Sequence, residues 1–147
     1  MPNGLAGYHY DYNDRFAAPR AASDDRTPEQ WARAVFEDAP RPVRWLLMSG
    51  FRYGLGLRFG PRPSSEHVLG WAIIDRSPDS LTVESRSWFL TSRLVFRIEA
   101  TCLTQSTYVC YDRRIAAIIW PPVSLLHRQI VPRIVQHAAR RAKRHVP

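Results

Sequence analysis

From Leu90 to Glu99 the chain alternates in character. Leu90, Leu94, Phe96 and Ile98 fall in one phase, and Thr91, Arg93, Arg97 and Glu99 in the other. A period of two marks a strand with one buried and one wet face, because successive side chains of extended backbone point to opposite sides. A second such stretch, 102–112, follows after Ala100-Thr101. If those two residues form a hairpin turn, Ile98 pairs with Leu103 and Leu94 with Thr107. Leu103, Gln105, Thr107, Val109 and Tyr111 then share the inner face, so an inward glutamine and threonine need partners. A sheet with one apolar face has to be covered, and the rest of the chain is read with that requirement in mind.

Two further strands fit before this pair, at 67–75 and 80–86, bounded by Pro61-Arg62-Pro63-Ser64-Ser65 and Arg76-Ser77-Pro78-Asp79-Ser80. The four make an antiparallel meander. Upstream, Thr27-Pro28-Glu29-Gln30 reads as a helix start, with Thr27 as cap, Pro28 in the first turn and Gln30 closing a capping box. Trp31 with Val35 and Ala32 with Phe36 give that helix an apolar face, and Pro40 and Pro42 end it. A second helix is expected from about Pro42 to Leu57, making a helical hairpin in which Trp31 and Trp45 pin the pair onto the sheet. Downstream, Pro121-Pro122 would open a long helix. Its stripe is Val123, Leu126, His127, Ile130, Val131, Ile134 and Ala138, with Pro132 inside it. Residues 1–13 read as a flexible tail, 14–147 as one domain, and an edge strand is expected around Arg15 to Ala18.

At 147 residues such a domain buries enough surface to fold without staples. Cys102 and Cys110 fall in one expected strand, about 26 Å apart at ~3.3 Å per residue, too far for a disulfide and with no neighbouring metal-ligand pattern. Free thiols and the absence of a secretory pattern at Met1 to Gly7 favour the cytoplasm. The longest apolar run, Ile115 to Trp120, is far short of the ~20 residues that span a bilayer.

A helical hairpin, a meander and a long C-terminal helix resemble the helix-grip architecture of the START-like (SRPBCC) superfamily. The segments Thr27 to Phe36, His67-Val68-Leu69-Gly70-Trp71 and Trp120-Pro121-Pro122-Val123-Ser124-Leu125-Leu126-His127 look like a family of short bacterial proteins of unknown function within it, over roughly residues 14 to 142. The expected fold is therefore α+β, a curved antiparallel sheet gripping the C-terminal helix. The resemblance implies an apolar cavity between the two that in many members holds a lipid, polyketide or other hydrophobic molecule. No catalytic motif of the superfamily's enzymes maps onto this sequence residue by residue, and no cofactor is implied.

The candidate ligand-binding residues are Trp71, Leu94, Phe96, Ile98, Gln105, Thr107, Val109, Tyr111, His127 and Ile130. Each has a plainer alternative: Trp71 and the apolar residues as core, and His127 as a packed histidine with one satisfied nitrogen. The carboxylates at Glu66, Asp75, Asp79, Glu84 and Glu99 read as turn or wet positions and form no acid–base pair. The net charge of +8 comes entirely from residues 113–147, which hold 8 Lys or Arg and no acid. Arg133, Arg140, Arg141 and Arg144 could meet an anionic membrane surface or an acidic partner, or simply complement the helix dipole. No recognition motif for DNA or RNA is present, which counts against nucleic acid. A carrier of a hydrophobic small molecule leads this reading, ahead of a peripheral binding module and of a cyclase- or hydrolase-like enzyme.

Overall fold

The computed structural model describes residues 9–37, 39–49, 67–68 and 71–144. The fold is α+β. Six strands, β1 (Tyr12–Pro19), β2 (His67–Val68), β3 (Trp71–Arg76), β4 (Ser80–Arg86), β5 (Leu90–Ile98) and β6 (Cys102–Tyr111), form one antiparallel sheet in the order β1-β6-β5-β4-β3-β2. Three helices, α1 (Pro28–Glu37), α2 (Arg41–Ser49) and α3 (Ala116–Arg144), complete it. Among the described residues no helix is long and apolar enough to cross a membrane.

The central hairpin has the register that alternation requires, with Ile98 opposite Leu103 and Leu94 opposite Thr107. Its turn is closed by the Glu99 N–H donating to the Cys102 carbonyl at 2.9 Å. The two faces differ less in burial than the alternation implies. Thr91 and Val95 sit in the outer phase yet are buried, Val95 between Arg93 and Arg97 and opposite Thr82 and Ser106. Long arginine stems can cover short neighbours while their charged ends stay wet.

The capping box forms as expected. Gln30 N–H donates to Thr27 Oγ1 at 3.2 Å, and Thr27 N–H donates back to Gln30 Oε1 at 2.9 Å. This start aims α1 so that Trp31 is fully buried and its indole N–H reaches the Thr104 carbonyl at 3.1 Å. Phe36 stacks on Trp71 and meets Phe96 edge-on. Arg26 then ties the entry of α1 to α3. It pairs with Asp24 at 2.9 Å, donates to the Ala138 carbonyl at 3.2 Å and lies over the Trp31 ring. Burial alone would raise the Asp24 carboxyl, but the Arg26 hydrogen bonds outweigh it and hold the group below its ordinary value.

Four expectations need correction. The stretch 67–75 is not one strand: β2 and β3 run antiparallel, His67 opposite Ala72 and Val68 opposite Trp71. The strand expected at 15–18 is longer and takes in Tyr12 and Asn13, which had counted as tail. Trp45 does not pin the hairpin, being 71 % exposed. The long helix begins at Ala116 rather than at Pro121, so both prolines lie inside it, past its first turn. Its entry is a set of tight i→i−3 bonds from Ala116, Ala117 and Ile118. Pro121 and Pro122 then forfeit bonds to carbonyls on exposed Ala117 and Ile118, where solvent can serve them. Of the second helix, the expected continuation beyond Ser49 to Leu57 lies outside the described residues.

Candidate functional site

The inner phase of the sheet, α1, α3 and Leu46 of α2 line a half-open cavity of about 400 Å³, within the size range of small-molecule sites. Its walls are mostly apolar. Trp71 and Leu94 come from the sheet, Val35 and Phe36 from α1, and Val123 and Ile130 from α3. The apolar stripe of α3 is therefore only partly sealed into the core: Val131 and Ile134 are buried, while Leu126 is 49 % exposed.

One wall is polar. Strand β1 pairs with β6 so that Tyr12, Asp14, Phe16 and Ala18 fall in the inner phase, Asp14 opposite Thr107 and Phe16 opposite Gln105. His127 on α3 comes down onto this patch. Its Nε2 lies 3.0 Å from Asp14 Oδ2 and 3.2 Å from Thr107 Oγ1. Gln105 Nε2 donates to Thr107 Oγ1 at 3.0 Å. On the other side the Tyr12 hydroxyl donates to Asp14 Oδ2 at 2.5 Å and accepts from Arg128 Nε at 3.1 Å. Trp120 packs edge-on against Tyr12 and tilted against His127. Burial chiefly, with Asp14 adding to it against an opposing Arg128, pushes the Tyr12 phenol up to about 12. Asp14 Oδ1, Gln105 Oε1 and Trp120 Nε1 are buried without a hydrogen-bond partner among the described residues.

Protons can be counted through this cluster. A carboxylate oxygen only accepts, so the hydrogen on His127 Nε2 belongs to the Asp14 contact, and Nε2 has no lone pair left for Thr107. A histidine that relays a proton from a nucleophile needs the nucleophile and the carboxylate on opposite ring nitrogens. Here Asp14 and Thr107 share one nitrogen, so Thr107, His127 and Asp14 do not form a nucleophilic triad. The arrangement orients hydrogen-bonding groups at the cavity wall. Among the described residues no three His, Cys, Asp or Glu side chains converge as metal ligands.

Of the residues singled out from sequence, Trp71, Leu94, Gln105, Thr107, His127 and Ile130 line the cavity. Phe96 and Val109 share the inner phase but are sealed within the core. Ile98 is half-buried opposite Leu103, and Tyr111 sits half-buried at the end of β6, where its backbone N–H binds Asp11 Oδ2 at 2.7 Å. Tyr111 takes no part in the polar cluster. Arg133 and Arg140 are exposed on α3, with Arg140 near Gln136, and Arg141 and Arg144 belong to the same helix.

Sequence reading missed Tyr12 and Asp14. The signal was the alternation of Tyr12, Asp14, Phe16 and Ala18 with Asn13, Arg15 and Ala17, which places a carboxylate in phase with apolar residues.

No family model matches the chain, and the search of curated proteins finds no match. A solved structure of an uncharacterized protein from Rhizobium leguminosarum aligns over 88 % of this chain and 96 % of that one, with 13 % identity and a TM-score of 0.34, too low to bear on function.

Proposed function

We propose that this protein binds a hydrophobic small molecule in the cavity between the sheet and α3. The observation that carries the reading is an apolar chamber of about 400 Å³ with a few convergent polar side chains on one wall, the usual composition of a ligand site. Resemblance of the chain's segments to START-like proteins points the same way. The sharing of His127 Nε2 by Asp14 and Thr107 favours holding a ligand over hydrolysing one. Native mass spectrometry of protein purified from its own host, then denaturation and identification of what is released, tests the proposal. A retained apolar molecule supports it. Protein that emerges unliganded and takes up no apolar probe in solution overturns it.

A second reading concerns the outside of α3, where Ile118 and Leu125 are 74 % and 63 % exposed and Arg128, Arg133 and Arg140 are exposed on the same helix. Apolar and cationic side chains together suit an anionic lipid surface from which a carrier could load. Sedimentation with anionic vesicles should fall when Arg133 and Arg140 are both changed to Glu, and unchanged sedimentation rejects this surface.

A further inference from the structure

We propose that the mouth of the cavity, between Leu46 of α2 and Leu126 of α3, seats on an anionic lipid bilayer, with Trp45 and Leu125 entering its interface. The proposal rests on the second reading above, that the protein docks on anionic lipid, and says which part of the molecule makes the contact.

The mouth is marked by the lining itself. Leu46, Pro122 and Leu126 line the cavity and are also exposed, whereas the other lining side chains are buried or half-buried. Beside two of these lips stand side chains that protrude further. Trp45 is 71 % exposed next to Leu46 at 41 %, and Leu125 is 63 % exposed next to Leu126 at 49 %. Ile118, also exposed, lies four residues before Pro122 and seven before Leu125, which puts the three on one face of α3. Apolar side chains therefore extend outward from both lips.

A chain in water leaves a contiguous apolar surface of this kind where something else covers it. Charge indicates what that is. Neither α2 nor α3 contains an acidic residue, while Arg41 of α2 and Arg128, Arg133 and Arg140 of α3 are exposed. Both lips thus stand on cationic elements, which match an anionic surface. A tryptophan on such an element suits the headgroup boundary of a bilayer, where its ring leaves water and its indole N–H does not. An acidic protein would answer the same charges. A bilayer also serves the opening, since an apolar molecule dissolved in it would reach the apolar chamber without crossing water.

The test uses the full chain and vesicles of phosphatidylcholine and phosphatidylglycerol whose acyl chains carry bromine, which quenches tryptophan on contact. Wild type should sediment with these vesicles and lose fluorescence. At a lipid concentration that binds both proteins, Trp45→Phe should remove most of the quenching, and Trp88→Phe, at the other well-exposed tryptophan, should leave it in place. Leu125→Glu should weaken sedimentation about tenfold, through lost apolar burial and repulsion from the anionic lipid. Trp45 and Leu125 are exposed, so these changes leave the core intact. Sedimentation without quenching, or quenching lost in Trp88→Phe alone, overturns this proposal and leaves docking on anionic lipid standing. Absence of sedimentation overturns both. Self-association without lipid that disappears in Leu125→Glu assigns the lips to a second copy and also overturns the proposal. The cavity reading is decided separately, by the molecule the protein retains.

Discussion

The two faces of the sheet treat carboxylates in opposite ways. On the outer face Glu84 pairs with Arg93 at 2.8 Å and Arg86 at 2.9 Å, Glu99 with Arg15 at 3.2 Å, and Asp79 with Arg97 at 3.7 Å. Each of these three acids meets a guanidinium, and Glu99 and Asp79 have open access to solvent. On the inner face Asp14, with a side chain only 10 % exposed, meets a phenol and an imidazole. The exposed outer pairs, those of Glu99 and Asp79, contribute little, typically ~0–1 kcal/mol each, and cost little to keep. An inner carboxylate has to recover its lost hydration from its few donors, and apolar residues of like shape would fill the same space at no such cost. Packing alone does not call for a carboxylate in that position. The cavity beside it offers a reason for it to be there.

The comparison can be broken most forcefully from the inner core. Phe96→Ala should cost about 3–5 kcal/mol in urea unfolding, since Phe96 is fully buried against Phe36. A loss near 1 kcal/mol would mean that the inner face is not the stabilising one. Next, His127→Ala should cost about 3 kcal/mol because it strands Asp14, whereas the double replacement of Asp14 and His127 by Leu should return to within about 1 kcal/mol of wild type. If the double variant is as unstable as the single one, the cluster is structural. Asp79→Asn on the outer face, where the carboxylate is 62 % exposed, should cost under about 1 kcal/mol, an effect that shrinks further in high salt.

The smallest effect is alkaline. The Tyr12 phenol is raised to about 12, so its protonated form is the one the fold favours. The associated stability is complete below the ordinary value near 10 and is lost as pH rises through about 12. Tyrosinate absorbance should show Tyr12 among the last tyrosines to ionise in the folded chain, and Tyr12→Phe should flatten the decline in stability over that window.

Much of the architecture is local and therefore legible from sequence. The hairpin register follows from alternation and a two-residue turn, and the start of α1 follows from four residues that cap one another. Half of the cavity wall is legible for the same reason: Gln105 and Thr107 are inward by parity, and His127 is inward by helical period. What escaped is set by distant partners. Asp14 looks like a polar residue in a loose N-terminal stretch until β6 pairs with β1 and fixes which phase faces inward. Strand β2 has only two residues, too few to show a period at all. Pro121 and Pro122 mark a helix start by rule, and only the tight entry before them moves that start upstream.

The seating of β1 against β6 also bears on the order in which this protein matures. The strand leaves the ribosome first, but its partner follows roughly 90 residues later, so a long loop must close before either edge is satisfied. Until then β6 is the sheet's unpaired margin, and His127 lacks its Asp14 partner. An intermediate without β1 would present β6 to the β1 of a second copy, the route by which chains exchange strands. Seating β1 would bring Asp14 to His127 and cover the open edge of β6 in one step.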